Sequence, residues 1–179
     1  MNVWVYIVIA CSSFLLGYAA YTFNRMVSRR NKVRHAWKDI DVQLEKRHQL
    51  IPLPVDMADG YSLHERRTLE EVARKRAEAI RASGAGEKGR IEHSLSEDLD
   101  RYLLLEEEYP ELKADSSFRR LSEGLVEVEG HLAAARKYYN GAVRIYNTYI
   151  QSFPQLLPAR LLLFRPEEYF QLERDPRGF

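Results

Sequence analysis

The feature that most constrains this chain is a run without a single charge, Val3 to Phe23, VWVYIVIACSSFLLGYAAYTF. As a helix rising about 1.5 Å per residue it covers roughly the 30 Å hydrocarbon core of a bilayer. The run reads as a membrane-spanning helix, with Trp4 and Tyr6 near its outer end and Tyr18 and Tyr21 near its inner end as interfacial anchors. Only Met1 and Asn2 precede it, whereas Arg25, Arg29, Arg30, Lys32 and Arg34 follow before the first acid, Asp39. Positive charge stays on the cytoplasmic side, so the expected topology is single-pass, N-terminus outside and everything after residue 24 in the cytoplasm. The same five basic residues are candidates for contact with anionic lipid. A cleaved signal peptide fits less well, because the basic n-region is missing and the apolar run exceeds the usual length. Cys11 follows Val8-Ile9-Ala10 as a lipidated cysteine can, yet the apolar run continues past it. It reads as a small apolar side chain of the span.

With 179 residues there is room for one ordinary domain beside this anchor. Lys plus Arg (27) and Asp plus Glu (26) nearly cancel, so the positive field of a nucleic-acid binder is missing. One cysteine excludes an internal disulfide and a multi-thiolate zinc site.

Beyond the span the apolar residues recur with helical spacing. Met26, Arg30, Val33, Trp37, Ile40, Leu44, Arg47 and Ile51 are separated by steps of three and four, a seam with two arginines in apolar places. It continues the spanning helix until Pro52 and Pro54 interrupt it. A weaker pattern from about Val55 to Arg81 turns Ala58, Tyr61, Leu69, Val72 and Ile80 inward. Residues 82–90, ASGAGEKGR, read as a mobile linker. A further helix from Ile91 to about Glu108, with Leu95, Leu99, Tyr102, Leu103 and Leu105 inward, stops near Pro110. The clearest seam runs Phe118, Leu121, Leu125, Val128, Leu132, Ala135, Tyr139, Ala142, Tyr146, Tyr149 and Phe153, with Asp115, Ser116 and Ser117 as caps and Pro154 as its end. No stretch alternates like a strand. The expected fold is all-α: a single N-terminal transmembrane helix (residues 1–24) followed by an elongated antiparallel four-helix bundle (residues 25–179) with a leucine-rich C-terminal tail. That tail is expected to fold back over the bundle end, the alternative being a segment that docks a partner or touches the membrane.

The best enzyme signal is Glu45-x-x-His48, half of the carboxylate and histidine set that holds two metals in ferritin-like bundles. Glu70, Glu71 or Glu127 would have to complete it. None of His35, His64, His93 and His131 has a carboxylate three residues before it. His64-Glu65 lacks the second histidine of a zinc protease, since Thr68 stands there. A polar layer accounts for Asp39, Asp41, Glu45 and His48 more simply. No catalytic, cofactor-binding or metal-binding residue is assigned, and the chain is expected not to be an enzyme.

The stretch from Asn24 to Pro52 carries Asn24, Ala36-Trp37, the run Ile40 to Leu44, and Arg47 to Pro52, followed by Gly60-Tyr61 and His64-Glu65. Near the other end stand Tyr139-Asn140, Val143, Tyr146-Asn147, Ile150, Phe153-Pro154, Pro166 and Tyr169-Phe170. In these motifs the chain resembles the LemA family of bacterial membrane-anchored proteins over nearly its whole length. The resemblance implies a single-pass membrane protein with a long antiparallel helical bundle, no established activity, and a place in the bacterial inner membrane. Two positions depart from the family pattern: Leu53-Pro54 stands where the family commonly has Asn-Leu, and Leu163 where it commonly has glycine before Phe164. Asn140 and Asn147, seven apart, are expected to fix bundle register through a partly buried amide, so that Asn147→Leu would leave the helices intact and loosen their packing. The expected role is a membrane-tethered structural or interaction module, touching lipid through residues 3–23 and an unknown protein partner or its own copies. The alternatives are a metal-dependent bundle enzyme or metal store, and a membrane-shaping protein.

Overall fold

A computed structural model of the chain describes residues 3–51, 63–108 and 116–170. Among the described residues there are helices and no strand: α1 Val3–Leu50, α2 Leu63–Arg81, α3 Ala85–Glu108, α4 Ser116–Gln151 and α5 Leu156–Leu161. The expected all-α class holds. Pro52, Leu53, Pro54, Ala58, Tyr61, Pro110 and Asp115 lie outside the described residues, as do the side chains of Leu69, Tyr102, Leu105, Phe118 and Leu121. The contacts divide the chain into two compact units, Met1–Trp37 with Tyr138–Glu167, and Lys38–Lys137 with Glu168–Phe179.

In the first unit α1 changes character along its length. It is long and apolar enough to cross a membrane, and its most apolar window is wholly unburied. From Thr22 onward one stripe turns inward: Met26, Val33 and Ala36 are buried, with Arg30 and Trp37 half-buried beside them. The facing stripe of α4 is Tyr139, Val143, Tyr146, Asn147 and Ile150. Trp37 and Tyr139 meet with ring centroids 5.3 Å apart, and the Arg29 guanidinium lies 4.3 Å over the Tyr149 ring while donating to the carbonyl of Ile145.

The expected α4 seam needs one correction here. Val143 and Ile150 are buried, whereas Phe153 lies past the helix end and is 80 % exposed. A strict seven-residue repeat drifts by about 20° per heptad on a straight helix, so the buried stripe slides to neighbouring positions over such a length.

The second unit gathers Ile40, Leu44 and Ile51 of α1, Val72 and Ala79 of α2, Ala85, Leu95 and Leu99 of α3, and Leu125, Val128 and Leu132 of α4. Two expectations fail in it. Ile80 is exposed and Ala79 takes the inward place, because a step of seven from Val72 returns within about 20° of its direction and a step of eight misses by about 80°. The residues read as a linker, 82–90, are mostly helix. Gly84 turns the chain at φ 89°, a left-handed conformation that glycine adopts without steric cost. The Lys88 amide then donates to the Gly84 carbonyl at 3.1 Å. Ala85, Gly89, Glu92, Leu95 and Leu99 form one buried stripe, so the small residues here belong to a packed helix face. The Glu168 carboxylate accepts from the Gly86 amide, placing negative charge at the positive end of α3.

Candidate functional site

Two polar constructions stand out, one in each unit. The first centres on Arg47, which sits on the apolar seam of α1 and is 1 % exposed. Its Nη1 donates to Glu92 Oε2 at 3.1 Å, and its Nη2 donates to Ser96 Oγ at 2.6 Å and pairs with Glu129 Oε1 at 3.0 Å. Glu92 is wholly buried, and its other oxygen meets His48 Nε2 at 2.8 Å. One guanidinium thereby ties α1 to α3 and α4. An unpaired buried charge is costly, so each partner secures the others. Around this network Lys75 pairs with Asp98 at 2.6 Å and donates to Ser94 Oγ at 2.6 Å, linking α2 to α3. Lys88 pairs with Asp41 at 2.8 Å, linking α3 to α1.

The second construction clamps the tail. The Asn147 amide, 9 % exposed, donates through Nδ2 to the Glu167 carbonyl at 2.9 Å and accepts from the Glu167 amide at 2.9 Å. The Glu167 carboxylate pairs with Arg30 at 3.1 Å. Tyr146 donates its hydroxyl to the Arg165 carbonyl at 3.0 Å, and burial pushes its phenol above the usual 10.0. Phe164 meets Phe23 edge to face at 6.1 Å. Residues 164–167 lie back against α4 and α1, whereas the leucines before them stay exposed, so the expected packing of the tail is met only in part. The role foreseen for Asn147 changes: its amide holds the backbone of the tail and not a neighbouring bundle helix.

The residues of the metal alternative are not brought together. Glu45 is exposed while His48, one turn on, is buried against Glu92. Glu70 is exposed, Glu71 pairs with Arg74, and Glu127 lies 3.8 Å from His131 on the surface. Among the described residues no three His, Cys, Asp or Glu side chains converge as a metal site would need. The expected polar layer divides: Asp39 and Glu45 are exposed, Asp41 meets Lys88, and His48 is buried. Of the five basic residues after the span, Arg29 and Arg30 are turned to α4 and the tail. Arg25, 5.9 Å over the Tyr21 ring, Lys32 and Arg34 are exposed.

Glu92, Ser96, Glu129 and Glu167 were not singled out from sequence. One signal for them was present, since an arginine at an apolar seam position demands a carboxylate from a facing helix. The interval from 85 to 99 shows Glu92 on the stripe once those glycines are read as helical.

Buried guanidinium pairing in one unit and a clamped tail in the other are what the described polar residues of this helical protein build. The LemA family model matches residues 36–177, and the chain belongs to the LemA family. It is also similar to the magnetosome proteins MamQ 2 and MamQ 1 of Paramagnetospirillum magneticum, each 33% identical over 73 residues. Those matches cover 41% of this chain and 27% of either relative.

Proposed function

We propose that the chain is a membrane-tethered structural or interaction module that catalyses no reaction. Residues 3–23 lie in the bilayer of the bacterial inner membrane, and the helices beyond form an antiparallel four-helix bundle on the cytoplasmic face. The observation that carries this reading is the single helix α1, unburied and apolar in its first half and seamed in its second. An unburied apolar stretch of that length needs a lipid environment. Contacts that fall along α4 as they rise along α1, Arg29 with Ile145 and then Trp37 with Tyr139, support the antiparallel arrangement. The run of Arg25, Arg29, Arg30, Lys32 and Arg34 supports the cytoplasmic orientation. Arg25, Lys32 and Arg34 serve anionic lipid, while Arg29 and Arg30 hold α4 and the tail.

Both terminal nitrogens of Arg47 are engaged by Glu92, Ser96 and Glu129, which supports a load-sharing role for this network. The likeness to the MamQ proteins covers too little of them to bring a magnetosome role to this chain. Proximity labelling from a tag fused after Phe179 tests the reading in intact cells. Cytoplasmic and inner-membrane neighbours agree with it and name the partner; labelling confined to external proteins contradicts the orientation. Stoichiometric iron or zinc in the purified full-length chain contradicts the non-enzymatic reading.

A further inference from the structure

The tail after α4 is fastened at particular residues. Ala159 is buried, Phe164 sits on Phe23, and the Glu167 backbone is held by Asn147. Other residues of the tail are apolar and open: Phe153, Leu157, Leu161, Leu162 and Leu163 are 80 %, 63 %, 83 %, 47 % and 76 % exposed. Leu157 and Leu161 are four apart on α5 and share a face. Single exposed leucines are ordinary, but a contiguous group this open marks a contact surface.

Leu163 adds an independent observation. The Leu163 amide donates to the Arg160 carbonyl and the Phe164 amide to the Ala159 carbonyl, the paired bonds that close a helix through a left-handed residue. That residue is ordinarily glycine, yet Leu163 adopts φ 57°. The chain accepts backbone strain to keep an open leucine there.

The position of the group decides its occupant. Phe164, next in the chain, touches Phe23, the last residue of the uncharged run. The Tyr149 ring, on the helix that leads into the tail, lies 4.3 Å under the guanidinium of Arg29, six residues past Phe23 on α1. The tail that carries the leucines therefore meets α1 near the point where α1 leaves the apolar run. Exposed Arg160 and Arg165 flank them. Apolar side chains rimmed by guanidiniums at that level match the boundary between acyl chains and anionic headgroups.

We propose that α5 and the turn after it form a second membrane contact, in which Leu157, Leu161, Leu162 and Leu163 insert into the leaflet from which α1 emerges while Arg160 and Arg165 meet lipid phosphates. This rests on the reading of residues 3–23 as a membrane span, and it makes the tail part of the anchor.

Full-length protein carrying Cys11→Ser, reconstituted in phosphatidylethanolamine and phosphatidylglycerol vesicles, tests it. An environment-sensitive fluorophore is attached in turn at Leu15→Cys, Leu161→Cys and Glu127→Cys, and spin-labelled lipids serve as depth-dependent quenchers. The label at 15 is expected to lose most of its emission to deep quenchers, the label at 161 to shallow quenchers, and the label at 127 to neither. A quenched label at 15 with an unquenched one at 161 overturns the second contact and leaves the span standing. An unquenched label at 15 overturns both. A blue-shifted label at 161 that ignores lipid quenchers and transfers energy between copies means that a second copy covers the leucines, which also overturns it. Leu161→Asp with Leu163→Asp, both at open positions, should abolish shallow quenching of a label at Leu157→Cys and leave the label at 15 unchanged; persistent quenching at 157 counts against insertion.

Discussion

Arg47 occupies a place where the seam of α1 would accept leucine, and the carboxylate of Glu92 makes it tolerable. Removing one partner of a buried pair strands the other, so Glu92→Gln should destabilise the folded chain by about 3 kcal/mol. Urea unfolding of the detergent-solubilised protein, followed by circular dichroism, measures this; a loss within about 0.5 kcal/mol, the scale of a surface change, would place the network outside the core energetics. Asn147→Leu removes two hydrogen bonds and leaves the Glu167 amide wanting a partner, a cost of about 2 kcal/mol. Its signature is release of the tail, read as faster proteolysis after Gln151 with helix content retained. Tyr146 supplies a pH test. Its folded-state phenol titrates above the unfolded value because it is buried, so its contribution is complete below about pH 10 and fades as pH rises toward the folded value. Tyr146→Phe should cost about 1 kcal/mol at neutral pH, through the lost bond to Arg165, and should flatten the alkaline limb of stability against pH. An unchanged alkaline limb would assign that sensitivity to other groups.

At the scale of elements, α1 and α4 were legible from sequence because their apolar residues recur over many turns, and a long pattern survives a local slip such as Phe153. The arginines at 30 and 47 were visible as anomalies. Their partners Glu167 and Glu92 were not, because pairing across 137 and 45 residues leaves no local trace. The start of α3 was missed for a different reason: Gly84, Gly86 and Gly89 suggest a linker by composition, and only the turn at Gly84 behaves as one. Leu163 closes α5 in the left-handed conformation that glycine favours. Leu163→Gly should raise stability by about 0.5–1 kcal/mol, relief of left-handed strain outweighing the added freedom of the unfolded chain. Leu163→Val should lower it, since a branched side chain fits that conformation worse. Thermal unfolding of the three proteins ranks them, and the reverse order would contradict the strained cap.

For the whole molecule, the division of labour follows from where charge can be paid for. The first half of α1 carries no charge before Arg25 and its most apolar window is unburied, whereas the remainder pairs the buried charge of Arg47 with Glu92. The balanced charge argued against nucleic-acid binding and the single cysteine against a multi-thiolate zinc site, and the motifs pointed to the LemA family, which the family model bears out. Neither names a partner, and on the proposed reading the partner would be chosen by surface presentation, which leaves no local motif in a sequence.

Cys11, the single cysteine of the chain, reports on the tether without any substitution, since its side chain is exposed on the apolar half of α1. A thiol reacts with a water-soluble maleimide as its thiolate, which forms in water and not in hydrocarbon. In native membranes Cys11 should remain unlabelled, and it should react fully once the membranes are dissolved in denaturing detergent. Equal labelling in intact membranes would contradict the membrane span, and with it the tethered module.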